Sequence, residues 1–223
     1  MDGFKYRLII FDWDGTLSDS AAQIVSSMQR AVAALDLPPR ADDDFRQMIG
    51  LSFEEGLGRV YPDHDTPTLI RLIHGYRRQW LGQMGEQGEP PLFTGALPAL
   101  EVLATAGHTL AIATGKSRVG LDRSLQHHRA VRRLVHATRT ADETANKPHP
   151  LMLEELLARF EVPVSEALMV GDTEFDVAMA RALGMDAVGV TCGVPPPERL
   201  VAAGALALLP DVAALPGWLG AAL

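Results

Sequence analysis

Asp12 and Asp14 stand two residues apart at the end of the apolar run Tyr6-Arg7-Leu8-Ile9-Ile10, and Gly15-Thr16 follows them directly. A continuous run of this kind reads as an interior strand of a parallel sheet, and ligands of such sheets collect at the carboxyl ends of the strands. With Phe11 closing the strand, both carboxylates can face one small volume, and Gly15 lets the chain turn sharply behind them. Two neighbouring anions repel each other, so the pair calls for a cation, a shared proton or phosphate chemistry. Taken alone, Asp-x-Asp-Gly fits an ordinary Asx-turn as well as it fits a site. A calcium loop of the EF-hand kind does not fit, because counting from Asp12 puts Thr16 at the fifth position and Gln23 where the closing Glu is needed.

Three further stretches would draw on the same region. Thr114-Gly115 follows Leu110-Ala111-Ile112-Ala113, which places a hydroxyl and an exposed amide at a second strand end; Ser117 is the expected cap of the next helix. Lys147 precedes Pro148 in Asn146-Lys147-Pro148-His149-Pro150, where the prolines restrict how the ammonium is presented. Lysine is scarce, only Lys5, Lys116 and Lys147 against seventeen arginines, so one at a rigid turn invites a specific role beside the ordinary one of a solvated surface group. Gly171-Asp172-Thr173-Glu174-Phe175-Asp176 follows Ala167-Leu168-Met169-Val170, and the spacing puts Asp172 and Asp176 on one face as a helix begins. One carboxylate there needs no more than the helix dipole; two, after a glycine at a strand end, suit a hard cation such as Mg²⁺.

The elements that must position these residues alternate. Helical spacing covers Ala21 to Leu35 until Pro38-Pro39 breaks it, and Asp42 to Ile49, Phe53 to Tyr61 and Pro67 to Met84 favour helix, with caps at Ser52 and Thr66. Gly82, Gly85, Gly88 and Pro90-Pro91 form the exit. From Leu97 onward the pattern is helix to Ala106, strand His108 to Ala113, helix Arg118 to His127, and strand Leu134 to Ala137. It continues with helix Leu151 to Phe160, strand Ala167 to Val170, helix Phe175 to Leu183, strand Ala187 to Val190 and strand Leu206 to Leu209, with a closing helix at the alanine-rich end. The expected fold is α/β, a doubly wound parallel sheet formed by residues 1–17 and 88–223, with a small α-helical cap domain, 18–87, inserted after the first strand. Such an insert can shield a site from water and present selectivity groups to it.

With 223 residues and 47% hydrophobic content, the chain is large enough for one full core and an accessory domain. A formal charge of -8 argues against non-specific nucleic-acid binding. No apolar stretch is long enough to span a bilayer, the N-terminus has no signal-peptide pattern, and the single cysteine, Cys192, cannot form an internal disulfide. The expectation is a cytoplasmic protein, monomeric or homodimeric, with no nucleic-acid or membrane partner, in which Cys192 is a small filler.

The ordered set Asp12-x-Asp14-Gly15-Thr16, Thr114, Lys147-Pro148 and Gly171-Asp172-x-x-x-Asp176 resembles the haloacid dehalogenase superfamily, in its Mg²⁺-dependent phosphatases with a helical cap after the first motif. The resemblance covers essentially the whole chain. It is nearest to phosphoglycolate phosphatase-like members, through Ile49-Gly50, Lys147-Pro148-His149-Pro150 and Gly171-Asp172-Thr173. It implies a Rossmann-like core and an aspartyl-phosphate mechanism on a small phosphorylated metabolite, 2-phosphoglycolate first among them. In that mechanism Asp12 is the nucleophile and Asp14 the acid and base; Thr114, Gly115, Gly15, Thr16 and Lys147 hold the phosphoryl group. Asp12, the Asp14 main chain and Asp172 hold Mg²⁺, with Asp176 supporting directly or through water.

Two positions depart from the family pattern. Trp13 replaces a smaller aliphatic residue and is expected to turn away from the carboxylates, towards the cap; Gly115 replaces a common Asn. An acid at position 14 argues against dehalogenation, and the absence of lysine from residues 18 to 90 argues against a cap Schiff base. A sugar-phosphate phosphatase or a β-phosphoglucomutase-like mutase, served by cap His64 or His74, remains an alternative, as does a non-catalytic binding protein. For specificity, at most one of Arg46, Arg59, Arg71, Arg77 and Arg78 is expected to reach the site.

Overall fold

The structure, a computed structural model, describes residues 5–221; the outermost residues of the expected core segments, 1–4 and 222–223, lie outside it. Strand β1 (Leu8–Phe11) is followed by four helices, α1 (Ala21–Ala34), α2 (Asp42–Arg46), α3 (Phe53–Val60) and α4 (Thr66–Gln87). Then come α5 (Ala96–Ala106), β2 (Thr109–Thr114), α6 (Arg118–His127), α7 (Arg129–Leu134), β3 (Ala137–Thr140), α8 (Leu151–Phe160) and β4 (Ala167–Gly171). The described chain closes with α9 (Glu174–Arg181), β5 (Asp186–Val190), α10 (Pro197–Ala203), β6 (Ala207–Leu209) and α11 (Leu215–Ala221).

The six strands form one sheet in the order β3-β2-β1-β4-β5-β6, parallel at every pairing. Strand side chains alternate between faces, and the two cores follow that alternation. Ile9, Phe11, Leu110, Ile112, Leu168 and Val170 bury against α5, α6, α7 and α11. Leu8, Ile10, Ala111, Ala113, Ala167 and Met169 bury against α8, α9 and α10. Each of the Leu, Ile, Val, Phe and Met side chains taken out of water here contributes about 1.5–3 kcal/mol, and the alanines less. Both faces are covered, which is why the strands read as continuous apolar runs. The expected strand at Leu134 to Ala137 is displaced. Leu134 ends the short helix α7, whose Val131 is buried, and the strand is the polar edge segment Ala137–Thr140.

Helices α1–α4 bury a third, separate cluster that includes Met28, Phe45, Leu57, Leu72 and Tyr76. Gly75 lets α4 approach α1, since a Cβ there would lie 3.4 Å from the Ala31 Cβ, and Gln83 ties the same helices through Ser26 (2.9 Å) and Ser27 (3.2 Å). Ser52 caps α3, accepting from the Glu55 amide at 3.3 Å. The cap of α4 is Asp65 and not Thr66: its carboxylate accepts from the Thr68 amide at 2.9 Å, and Pro67 falls in the first turn, where its missing N–H costs nothing. Helix α2 stops at Arg46, short of Ile49, where the chain turns at Gly50 (φ +96°). The two segments that join the helical block to the sheet run side by side: the Asp19 amide donates to the Pro91 carbonyl (2.9 Å) and the Phe93 amide to the Leu17 carbonyl (3.0 Å). No described helix is long and apolar enough to cross a membrane.

Candidate active site

The central strand delivers the first carboxylate. The Asp12 amide continues the ladder by donating to the Val170 carbonyl at 2.9 Å, so the residue leaves the sheet with its backbone fixed. By the strand alternation Asp12 follows Ile10 to the face covered by α8–α10. There Asp12 Oδ1 meets Lys147 Nζ at 2.8 Å and accepts from the Trp13 amide at 2.6 Å, while Oδ2 is buried with no hydrogen-bond partner. The same Lys147 Nζ lies 2.6 Å from Asp176 Oδ1.

Strand β4 and the start of α9 supply the other acids. Thr173 caps α9, and Asp176 answers it in a capping box: its Oδ2 accepts from the Thr173 hydroxyl (2.6 Å) and amide (3.1 Å). Asp172 Oδ1 accepts from the Thr16 hydroxyl at 2.9 Å. Glycine makes this crowding possible. A Cβ on Gly15 (φ +86°) would stand 2.4 Å from Asp172 Oδ2, and one on Gly171 would stand 2.3 Å from the Asp176 Cγ.

Asp12, Asp172 and Asp176 offer oxygens within 4.8 Å of one another, all three residues buried, with one ammonium among them. Burial pushes the Asp12 carboxyl up to about 7, Lys147 opposing and Asp176 adding to the rise. Asp172 is driven well above the usual carboxylate range by burial and then by the charges of Asp12 and Asp176. Burial alone would depress the Lys147 ammonium, but the carboxylates of Asp12 and Asp176 more than reverse this and hold it above its ordinary value. Three carboxyls share one ammonium, which is why Asp12 and Asp172 are pushed towards their neutral forms without a cation, and Asp12 Oδ2 is left unpartnered. A hard divalent cation fits this donor set.

On the other side of Asp12 lies a small cavity of about 40 Å³ beneath the cap. Thr114, Gly115 and Lys116 from the end of β2 line it together with Asp14, and Met48, Ile49, Gly50, Leu51, Phe53 and Tyr76 roof it. Asp14 is held by the Ser20 hydroxyl (2.7 Å) and by Lys116 Nζ (3.1 and 3.2 Å to its two oxygens). The Thr114 hydroxyl accepts from the Lys116 amide at 3.2 Å and keeps its own proton to donate. Gly115 is where the cap backbone comes closest: a Cβ there would lie 2.7 Å from the Gly50 carbonyl oxygen and 2.8 Å from that of Leu51. Burial, then the charges of Asp14 and Glu89, lift the Tyr76 phenol well above its ordinary value, so it stays a donor.

The other eight site residues expected from the sequence gather around Asp12, some on the acidic side and some on the cavity side. Lys116 and Ser20 were missed. The scarcity of lysine that marked Lys147 marked Lys116 equally, but only the fold shows its chain reaching back to Asp14. Trp13 turns away from the carboxylates as expected but packs into the sheet core beside His128 (ring centroids 5.8 Å) and not against the cap. None of the five cap arginines lines the cavity; Arg46 pairs with Asp43 (2.8 Å), Arg59 with Glu55 (2.8 Å), and Arg71 donates to Thr68 (2.9 Å). His64 packs edge-on against Tyr61 at 5.0 Å, and His74 is exposed. Cys192 is a half-buried thiol pushed up to about 12 by burial and the nearby acids, which fits a filler.

The family model of the haloacid dehalogenase-like hydrolases matches residues 9–190, from β1 to the end of β5. The chain belongs to this family. Among its relatives, the probable phosphatase IndB of Dickeya dadantii is 33% identical over 199 residues, covering 88% of this chain and 86% of the relative. A phosphoglycolate phosphatase of Rhodospirillum rubrum is 32% identical over 229 residues, covering 96% and 91%. The crystal structure of a hydrolase from Pseudomonas syringae superposes with a TM-score of 0.86 at 25% identity, over 98% of this chain and 99% of that one. This haloacid dehalogenase-like hydrolase is a phosphatase, and its doubly wound parallel core is the family's.

Proposed function

We propose that this phosphatase is a Mg²⁺-dependent phosphomonoester hydrolase for a small organic phosphate, 2-phosphoglycolate foremost, working through an aspartyl-phosphate on Asp12. The observation that carries the reading is the Asp12 carboxylate itself, buried at the end of the central strand, clamped through one oxygen by Lys147 and unpartnered at the other. A nucleophile fixed in this way splits one hard displacement into two easier ones. Lys147 offsets charge between Asp12 and the incoming phosphoryl oxygens, and the hydroxyl of Thr114 with the backbone beside Gly115 holds those oxygens in line. Asp14 faces the cavity, where the leaving oxygen would lie; there it gives up a proton and later takes one from water. For this it must loosen its contacts with Ser20 and Lys116.

Mg²⁺ would be held by Asp12 and Asp172 with the Asp14 main chain, and it would supply charge neutralisation for the transferring group. Asp176 is already engaged by Lys147 and Thr173 through both oxygens, which favours a supporting role. The size of the cavity and its one lining cation, Lys116, suit a small acid phosphate, and phosphoglycolate phosphatases stand among the relatives. The test is phosphate release from 2-phosphoglycolate and a panel of sugar phosphates, with and without Mg²⁺. Turnover that requires the metal and falls about 10³-fold or more in Asp12→Asn is expected. Activity surviving both EDTA and that substitution overturns the mechanism, and isomerised sugar phosphate in place of free phosphate replaces the hydrolase by a mutase.

A further inference from the structure

Next to the site cavity a second, larger concavity of about 360 Å³, against about 40 Å³ for the first, opens between α4 of the cap and α6 of the core. The two share a wall. Phe53, Tyr76 and Lys116 line both, so three side chains separate the phosphoryl site from the groove. The groove is aromatic: Phe53 and Tyr76 meet at 4.4 Å between ring centroids, and Tyr76 and Trp80 at 5.9 Å. Its rim carries Val119 (69% exposed) and Leu81 (47% exposed), two of the six large apolar side chains exposed among the described residues. Apolar groups gathered on both sides of one seam are unlike the scattered exposure of an ordinary surface.

The mouth is cationic. Arg77 from α4 and Arg123 from α6 line it, and neither makes an ion pair among the described residues, whereas Arg118 at the start of α6 pairs with Asp122 and Glu143. The one acid in the lining, Asp142, is committed to the Arg118 amide (2.9 and 3.1 Å) and the Thr140 hydroxyl (2.8 Å). Lys116 closes the passage, its Nζ 5.0 Å from the centre of the Trp80 ring while pairing with Asp14. An unbranched ammonium chain is the part of such a wall that can swing aside.

We propose that this groove is a leaving-group subsite for phosphomonoesters whose leaving group is an aromatic ring bearing a second anionic group. The ring would lie against Tyr76 and Trp80, the second anion between Arg77 and Arg123, and the phosphoryl group on Asp12. The reaction is unchanged. The bond from phosphorus to the leaving oxygen breaks, that oxygen takes a proton, and water supplies the fourth oxygen of the released phosphate. The inference rests on the phosphomonoesterase reading and extends its substrate class beyond glycolate.

Kinetics on 4-carboxyphenyl phosphate, phenyl phosphate and 2-phosphoglycolate test it, with the wild type, Val119→Glu and the double variant Arg77→Ala/Arg123→Ala. Both variants should raise KM for 4-carboxyphenyl phosphate about tenfold while 2-phosphoglycolate moves less than about twofold, and only Val119→Glu should affect phenyl phosphate. Quenching of tryptophan fluorescence by 4-hydroxybenzoate, the dephosphorylated leaving group, should be present in the wild type and lost in both variants. Equal effects on all three substrates, no effect on any, or no binding of 4-hydroxybenzoate overturns the subsite. Failure of the underlying reading looks different: the wild type would release phosphate from none of the three, and the fluorescence titration would still decide the groove.

Discussion

The clamp of Lys147 between Asp12 and Asp176 concentrates the chemistry of the site into one buried ammonium. Replacing it in Lys147→Met leaves two interior carboxylates without their counter-charge, so the variant should lose about 3–5 kcal/mol of stability. Denaturant unfolding measures this, and the deficit should narrow on acidification from pH 8 to pH 5, because Asp12 can then bury as a neutral acid. The removal of an exposed pair such as Arg59 and Glu55 should cost less than about 1 kcal/mol. At this scale the sequence was most legible where a residue's role depends on its place at a strand end. Asp12, Thr114 and Asp172 each follow an apolar run that announces itself. Lys116 and Ser20 were not legible, because their contacts with Asp14 depend on how far a side chain reaches across the seam between two segments distant in sequence.

Among the elements, the loop after β2 and the turn at Gly50 matter most, because they meet backbone to backbone at Gly115. The departure from the family's Asn thereby acquires a steric reason: two cap carbonyl oxygens occupy the space a side chain would take. Gly115→Ala should hold the cap away from the core. The expected result is a fall in kcat/KM of about tenfold with Tm nearly unchanged, since the clash is relieved by opening and not by unfolding. Steady-state kinetics beside a thermal melt would show it, and a parallel loss of Tm would mean instead that the loop itself is deformed. Element types were readable from periodicity throughout, the four cap helices included. The exceptions were helix α10 (Pro197–Ala203), which the sequence reading does not assign, and the stretch from Arg129 to Thr140, where a short helix precedes a polar strand. The edge strand β3 exposes one side to water, and its Thr138-Arg139-Thr140 carries no apolar run to betray it, whereas the other edge strand, β6, does.

For the molecule as a whole, the buried acids link folding to pH and to metal. Folding raises the Asp12 carboxyl from about 3.8 to about 7. Between those values the native state binds a proton that the unfolded chain has released, so the metal-free protein should lose stability as pH rises from about 4 through 7. Asp172, shifted in the same direction, should add to the loss. Mg²⁺ should reverse it, raising Tm by several degrees at pH 7.5 and by little at pH 5, where protons compete for the same oxygens. Calorimetry at the two pH values with EDTA or Mg²⁺ checks both halves. The block of four helices between the first strand and the rest of the sheet was legible because helical periodicity interrupts the alternation of strand and helix there. The strand order was not, since nothing local in β1 says that β2 and β4 will flank it. That order has a kinetic consequence. Because β1 is bonded on both sides and covered on both faces, its amides should be among the last in the chain to exchange with deuterium, opening only when the whole core opens. Asp12 hangs from this segment, while Met48, Ile49 and Tyr76 of the cavity roof belong to the smaller cap cluster, which should open on its own at lower cost. A reacting group anchored in the most cooperative part of the molecule, under a roof drawn from a less stable part, lets the enzyme breathe around its substrate many times for each occasion on which the nucleophile itself is lost.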